Sequence, residues 1–69
     1  MSYWSSGEQK PEGYSPCLCN VVYKDGPAWE VLYYHPRKGW VFKDGLALST
    51  DARMIQWVNI EQTIRQLLQ

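Results

Sequence analysis

The chain has 69 residues, and its seven basic and seven acidic side chains give a formal net charge of zero. This length predicts one small domain, which buries only roughly 60% of the surface of its unfolded chain. The scattered, balanced charges argue against a binder driven by phosphate neutralisation and against a membrane-surface protein, because both concentrate basic residues.

The N-terminal segment, 1–16, is polar and rich in Ser, Gly, Pro and Glu, which predicts an irregular arm held by its aromatic side chains. It has no apolar stretch after a basic lead, as a signal peptide would. No segment approaches the roughly 20 apolar residues of a transmembrane helix. We therefore expect a cytoplasmic protein with no membrane partner, in which 17–69 form the single domain.

Three segments alternate in the manner of strands, whose successive side chains point to opposite faces. The first, 17–23, places on one face Cys17, Cys19, Val21 and Tyr23. The second, 28–35, separates Glu30, Leu32 and Tyr34 from a face that carries Trp29, Val31, Tyr33 and His35. The third, 40–43, is short, and Trp40 shares a face with Phe42.

Tight turns separate these strands. The phrases VVYKDG (21–26) and WVFKDG (40–45) both place Asp-Gly after an aromatic-containing strand. Hairpins favour a residue tolerant of positive φ followed by Gly, so we interpret the phrases as convergent turn chemistry and not as a duplicated unit. The segment 36–39 is a further turn.

The spacing of apolar residues changes in the C-terminal part of the sequence. Residues 46–52 fit a loop or a short edge segment, and 53–59 form a fourth strand with Ile55 and Trp57 on one face. The helix that follows Asn59, a predicted N-cap, has an apolar stripe of Ile60, Ile64, Leu67 and Leu68. A short helix is marginal alone, so we expect this stripe to dock on the sheet; the alternative is a swapped or partner-facing helix.

The predicted fold is α+β, an antiparallel meander of about four strands with one C-terminal helix packed on the sheet. The expected core consists of Val21, Val31, Leu32, Trp40, Phe42, Ile55, Trp57, Ile64 and Leu67.

The sequence shows little that points to catalysis or to a metal. Its only histidine is His35, and both cysteines, Cys17 and Cys19, lie two residues apart in one strand. Zinc sites use four ligands, and these three residues supply an incomplete set. No glycine-rich phosphate loop or paired carboxylates are present. We expect a non-enzymatic protein with no cofactor and no metal.

Aromatic residues outnumber what so small a core accommodates easily, and Trp and Tyr dominate protein-binding hot spots. We therefore expect a protein-binding surface, and a homodimer fits a domain with no disulfide or metal to stabilise it. The alternative is a binder of single-stranded nucleic acid that stacks bases on sheet aromatics beside Arg37 and Lys38. The candidate binding residues are Trp29, Tyr33, Tyr34, His35, Arg37, Lys38 and Trp40.

One ordered set of residues resembles a known family. Trp4, a Lys-Pro-Glu-Gly turn at 10–13, the Gly39–Trp40 pair and a closing Met-Ile-Gln-Trp phrase at 54–57 occur in the order typical of that family. Across 4–60 the chain resembles the small phage and prophage domain of unknown function numbered 551. Gln56 stands where those proteins usually have His, and a helical segment follows that their pattern does not require.

The resemblance implies a phage or prophage origin and a small β-rich fold, with no established activity. We therefore expect a phage-encoded protein that acts in the host cytoplasm by binding a host or phage protein.

Overall fold

The computed structural model describes residues 3–68 and shows a curled antiparallel sheet with one C-terminal helix packed on it. The predicted α+β fold is confirmed, and the sheet has five strands. Its elements are β1 (Ser5–Ser6), β2 (Pro16–Tyr23), β3 (Gly26–His35), β4 (Gly39–Val41), β5 (Arg53–Asn59) and α1 (Ile60–Leu67).

The strand order is β1-β5-β2-β3-β4. The meander therefore comprises β2, β3 and β4, whereas β5 returns to the other side of β2 and pairs with it antiparallel. The helix follows β5 directly and contacts β2 and β5. These connections leave β3 between β2 and β4, on the side of β2 opposite β5.

The segment predicted to be an irregular arm contributes a strand to the sheet. Ser5 and Ser6 of β1 pair with Trp57 and Gln56 of β5, and the Gly7 amide donates to the Ile55 carbonyl at 2.9 Å. Two residues are too few for a periodic signal, which is why alternation does not reveal this strand. Met1 and Ser2 of the arm, and Gln69 of the predicted domain, lie outside the described residues.

The core lies on one face of the sheet, called here the core face. Its cluster of buried side chains consists of Cys17, Cys19, Val21, Leu32, Trp40 and Trp57. Phe42 and Met54 pack against this cluster from partly buried positions. The predicted alternation is confirmed in β2, where Cys17, Cys19 and Val21 are all fully buried. Val41 and Val58 are buried outside this cluster.

A β-bulge in β5 reverses the predicted facing of that strand. Asn20 of β2 pairs with Gln56, but the next residue, Val21, pairs with Met54, so Ile55 is the extra residue. An extra residue shifts the alternation by one position. Met54 therefore joins Trp57 at the core, and the prediction that Ile55 supplies the core is wrong.

Val31 was also predicted to be a core residue, and this is wrong. It alternates with the fully buried Leu32, so its side chain points to the opposite face of β3 and is 50% exposed. A strand covered on only one face buries every second residue.

The helix begins as predicted but presents an unexpected side to solvent. The Asn59 side chain accepts from the Gln62 amide at 2.9 Å, which confirms the N-cap. Ile64 and Leu67, expected in the core, are exposed, and none of the residues Ile60–Leu67 is buried. Ile60 and Thr63 are the partly buried residues of the helix, and the exposed Gln62 and Gln66 line a groove with Trp57.

The turns use glycine in a different way from that predicted. Among the described residues only glycines have positive φ, so Asp25 and Asp44 do not adopt it. Asp44 instead accepts from the Leu46 amide at 3.1 Å, and Gly45 has a φ of 90°. The chain then forms a short edge segment, in which Ala47 bridges to Val41.

Candidate functional site

The side of β3 opposite the core carries a row of aromatic and aliphatic side chains, called here the β3 outer stripe. Its members share one face of a single strand: Trp29, Val31, Tyr33 and His35. Their facing follows from the alternation with buried Leu32. Trp29 is 58% exposed, so an indole that would add a large apolar area to a core lies largely in solvent.

Aromatic residues of the N-terminal segment pack at both ends of the β3 outer stripe. The Trp4 ring lies 5.4 Å from Trp29, centroid to centroid, in a tilted arrangement. The Tyr14 ring stacks on Tyr33 at 5.0 Å and meets His35 edge-on at 6.3 Å. The prediction that aromatics hold the N-terminal segment on the domain is confirmed for Trp4 and Tyr14. Ring contacts of this kind stabilise a pair by about 0.5–1.5 kcal/mol.

His35 closes the turn that follows β3. Its Nδ1 accepts from the backbone amides of Arg37 at 3.1 Å and Lys38 at 3.2 Å. The Nδ1 lone pair thus satisfies two backbone amides of the turn. The turn ends at Gly39, whose φ of 79° favours glycine. Arg37 and Lys38 are exposed at the tip, beside the end of the β3 outer stripe.

Two predicted binding residues lie on the other face of the sheet. Trp40 is buried in the core cluster, and the half-buried Tyr34 packs on it edge-on at 5.2 Å. The Lys10 Nζ lies 5.7 Å from the Tyr34 ring centroid, a cation–π arrangement. The structure thus brings together Trp29, Tyr33 and His35, with the Arg37–Lys38 turn next to them, and separates them from Tyr34 and Trp40.

Trp4, Tyr14 and Val31 lie at the β3 outer stripe but are not among the predicted binding residues. For Val31 the signal was present, because its position between Trp29 and Tyr33 in the alternation already placed it on their face. For Trp4 and Tyr14 the alternation of β3 gives no information, since their positions depend on how a largely irregular segment crosses the sheet.

The chemically reactive groups are held in unreactive states. Cys17 and Cys19 are free and fully buried, and burial raises the pKa of Cys17 to about 11 and the pKa of Cys19 to about 12. A protonated thiol is a poor nucleophile and a poor metal ligand. Both thiols lie on the core face, whereas His35 lies on the outer face of β3, and residues 3–68 contain no group of three metal-ligating side chains.

Tyr23 is a further residue whose pKa is shifted from its ordinary value. Burial, followed by its hydrogen bond to the Glu30 carboxylate, raises the pKa of Tyr23 to about 12. The phenol donates in this bond and is therefore held in its protonated form. The pair joins the two strands of the β2–β3 hairpin, which suits a structural role.

A polar groove of about 490 Å³ lies between α1 and the β1–β5 edge of the sheet. It is lined by Tyr3, Ser5, Trp57, Asn59, Gln62, Thr63 and Gln66. Several of its polar atoms already have partners. Asn59 caps α1 and donates to Ser15 Oγ at 2.7 Å, and the Trp57 indole donates to the Gln9 carbonyl at 3.0 Å. These bonds give the groove a structural role in holding the helix and the N-terminal segment.

Comparison of the chain with protein-family models, curated proteins and solved structures gave no match. The resemblance to the phage family numbered 551 therefore stays a prediction. Within residues 3–68, no helix has the length and apolar character needed to cross a membrane.

Proposed function

We propose that this chain is a small non-enzymatic interaction protein that binds another protein through the β3 outer stripe. The observation that carries the proposal is the exposure of Trp29 and Val31, 58% and 50%, in a row that is held at the Trp29 end by Trp4 and at the Tyr33 end by Tyr14. Apolar surface of this kind is typical of binding sites.

The stripe is also rigid, which favours binding. Trp29 stands where β3 pairs with β2, Tyr33 stands where β3 pairs with both β2 and β4, and their rings rest on Trp4 and Tyr14. Side chains that are already ordered lose little rotamer entropy when a partner covers them, and that loss is about 0.5–1.5 kcal/mol for each side chain that has to be immobilised. Large aromatics in such positions are the usual hot spots of protein interfaces.

Single-stranded nucleic acid is the alternative ligand. The exposed Arg37 and Lys38 at the end of the β3 outer stripe support it, because a base stacked near Tyr33 would place a phosphate near these cations. Two features favour a protein instead. The net charge is zero, and Tyr14 already stacks on the Tyr33 ring.

The resemblance to phage proteins supports a host or phage protein as the partner and the host cytoplasm as the place of action. The buried, protonated thiols are consistent with that compartment, where cysteines stay reduced. They also support a function without catalysis, since neither sulfur is available as a nucleophile.

Affinity capture with matched variants tests the proposal. Immobilised wild type is compared with the double variant Trp29→Ser, Val31→Lys and with Leu46→Lys, a control at a site that is 66% exposed in the turn after β4. We expect wild type and control to retain the same protein from a host lysate, and the double variant to lose at least tenfold in affinity for that protein once it is purified. Near-UV circular dichroism verifies that each variant is folded. Equal retention by the double variant would refute the proposal.

A titration distinguishes nucleic-acid binding from the proposed protein binding. Labelled oligo-dT and oligo-U are added at low and at high salt to wild type and to the variant Arg37→Ser, Lys38→Ser. We expect no tight binding. Micromolar binding at low salt that weakens steeply with salt and disappears in the variant would establish the nucleic-acid alternative.

A further inference from the structure

The strand β3 lacks a neighbour along part of one edge. β2 pairs with its residues 26–33, whereas β4 pairs only with residues 33–35 on the other side. Within residues 3–68, no further strand, bridge or backbone hydrogen bond is found on the β4 side of 27–31. This segment is called here the β3 open edge. An unpaired strand edge is a template on which another chain can form a strand.

The chain that follows β4 leaves a gap beside this edge. If the pairing of β4 with β3 continued beyond Val41, Lys43 would lie opposite Val31. The chain instead turns at Phe42, whose amide donates to the Leu46 carbonyl at 2.8 Å. A shallow pocket of about 540 Å³ lies at this point and is lined by Val31, Phe42, Lys43 and Asp44. The sheet position next to Val31 is therefore open.

The backbone groups of Trp29 and Val31 point into this gap. The Leu48 amide donates to the Trp40 carbonyl at 3.0 Å, so Trp40 directs its backbone groups away from β3. Because these directions alternate along a strand, the next residue of β4 and its partner Tyr33 direct theirs toward each other. The same alternation along β3 directs the N–H and the C=O of both Val31 and Trp29 toward the side of β4.

We propose that the β3 open edge binds an extended segment of a partner protein, which adds a strand to the sheet next to β3. The class of ligand follows from the groups that are presented. One N–H and one C=O from each of Trp29 and Val31 are complementary to the backbone of an extended peptide, with which they would form up to four hydrogen bonds. This inference rests on the proposed function and specifies the form in which the partner binds.

The side chains of the added strand would alternate between the two faces of the sheet. Those on the outer face would lie next to Trp29 and Val31, where apolar cross-strand neighbours stabilise the pairing. The pocket beside Phe42 accommodates an apolar side chain of the segment. We therefore expect a segment of about five residues, the length of the β3 open edge, in which apolar side chains alternate with others.

A second copy of this chain fits the β3 open edge poorly. A symmetric antiparallel pair centred on Trp29 would place the turn at 24–25 of the other copy where β4 already pairs with β3. A shift of two residues that avoids this overlap sets Trp29 opposite Pro27, which has no N–H. Two hydrogen bonds then remain in the pair. Proline on an exposed edge is a device by which proteins prevent such self-pairing.

Amide hydrogen exchange followed by NMR tests the β3 open edge in the free protein. We expect the amides of Trp29 and Val31 to exchange at least tenfold faster than those of Glu30 and Leu32, which face β2 by the same alternation. Equal protection of both sets would overturn the inference, because the edge would already be covered. Protection of Trp29 and Val31 that increases with protein concentration would assign the edge to a second copy and would overturn the proposed partner.

A peptide library supplies a defined ligand. Random nine-residue peptides displayed on yeast are selected on the full chain, and the enriched peptides are synthesised with a fluorescent label. We expect them to contain alternating apolar residues and to slow exchange of the Trp29 and Val31 amides at least tenfold. The 69-residue chain is also made by chemical synthesis with an N-methyl group on Val31, which removes the N–H and keeps the side chain. We expect this chain to bind the peptide at least tenfold more weakly than synthetic wild type, and the control Leu46→Lys to bind it within twofold.

Two contrary results separate this inference from the proposed function. A ligand that Trp29→Ser, Val31→Lys no longer binds, but that the chain methylated at Val31 binds as tightly as wild type, would overturn strand addition and leave the proposed function in place. A library that yields no binder would also overturn strand addition, while the lysate capture decides the proposed function separately. Near-UV circular dichroism of the buried Trp40 and Trp57 verifies the fold of each chain, and the exchange measured on wild type with peptide requires no variant.

Discussion

A single methyl group at Gly7 should displace the edge of the sheet. A Cβ built on Gly7 lies 2.0 Å from the Met54 carbonyl oxygen, 2.7 Å from the Met54 carbonyl carbon and 3.1 Å from the Ile55 oxygen. All three are backbone atoms beside the β-bulge, so no side chain can rotate to make room. Gly7→Ala therefore requires β1 and β5 to separate locally.

The loss in free energy of unfolding expected for Gly7→Ala has two contributions. Non-bonded atoms pack at about 3.5–4.0 Å, so the Cβ has to move by more than about 1 Å, and overpacking of this kind costs about 1–3 kcal/mol. Separation also breaks the Gly7–Ile55 hydrogen bond, which contributes about 1 kcal/mol. We expect Gly7→Ala to lower the free energy of unfolding by about 2–4 kcal/mol, a large share of the total for a domain of this size.

Gly13→Ala is the matched control. A Cβ at Gly13 meets no atom within 4 Å, but the φ of 96° makes alanine unfavourable there by about 1–2 kcal/mol. Urea unfolding followed by tryptophan fluorescence compares the two variants. Hydrogen exchange at the Trp57 indole N–H, which bonds to the Gln9 carbonyl, reports on the N-terminal segment directly.

We expect Gly7→Ala to be the less stable variant and to accelerate exchange at the Trp57 indole, while Gly13→Ala leaves that exchange close to wild type. A stability of Gly7→Ala equal to or above that of Gly13→Ala would refute the steric argument. Unchanged indole exchange in a destabilised Gly7→Ala would show that β1 stays in place and that the strain is absorbed elsewhere.

Two further predictions concern the core. Leu32 is fully buried, so Leu32→Ala should lower the free energy of unfolding by about 2–5 kcal/mol, whereas Leu46→Ala, at a site that is 66% exposed, should change it by less than about 0.5 kcal/mol. Because folding raises the pKa of Cys17 and Cys19, their contribution to stability is complete below the ordinary thiol pKa and is lost as pH rises toward about 11 and about 12, by up to about 1.4 kcal/mol per pH unit for each thiol. Urea unfolding at pH 8 and pH 10.5 should therefore show a smaller loss for a Cys17→Ala, Cys19→Ala variant than for wild type.

Each of these comparisons has a contrary result. Similar losses for Leu32→Ala and Leu46→Ala would mean that the core face is not packed as described. An equal decline of wild type and the double cysteine variant between the two pH values would assign the alkaline loss to groups other than the thiols.

The alternation of residues along the sequence was sufficient to predict which side chains face the core in most of β2 and β3, but not in β5. In β2 every second residue from Cys17 to Val21 is buried, and in β3 partly buried and exposed residues alternate up to the buried Leu32, so the sequence pattern shows directly which residues face the core. In β5 the bulge at Ile55 is a property of the pairing with β2, and no residue in Arg53–Asn59 marks it. Side chains alternate between the two faces in every strand, so the sequence pattern does not show the position at which a bulge interrupts that alternation.

The helix shows a different limit of prediction from the sequence. Its apolar period and its Asn59 cap are local properties, and both are present as predicted. Which side faces the sheet depends on the groove beside Trp57, which is built from β1, β5 and the helix together. The make-up of the β3 outer stripe, the proposed binding surface, was also only partly predictable from the sequence. Trp29 and Tyr33 follow from alternation, whereas the rings of Trp4 and Tyr14 reach them through the tertiary fold.

The strand order also constrains how the chain assembles as it leaves the ribosome. The hairpins β2–β3 and β3–β4 join neighbours in sequence and can close as soon as they are synthesised. The strand β5 is made late and must enter between β1 and β2, so the edge of β2 stays unpaired until then. The folding chain thus presents an open strand edge until β5 inserts, and this insertion is the step at which aggregation and folding compete.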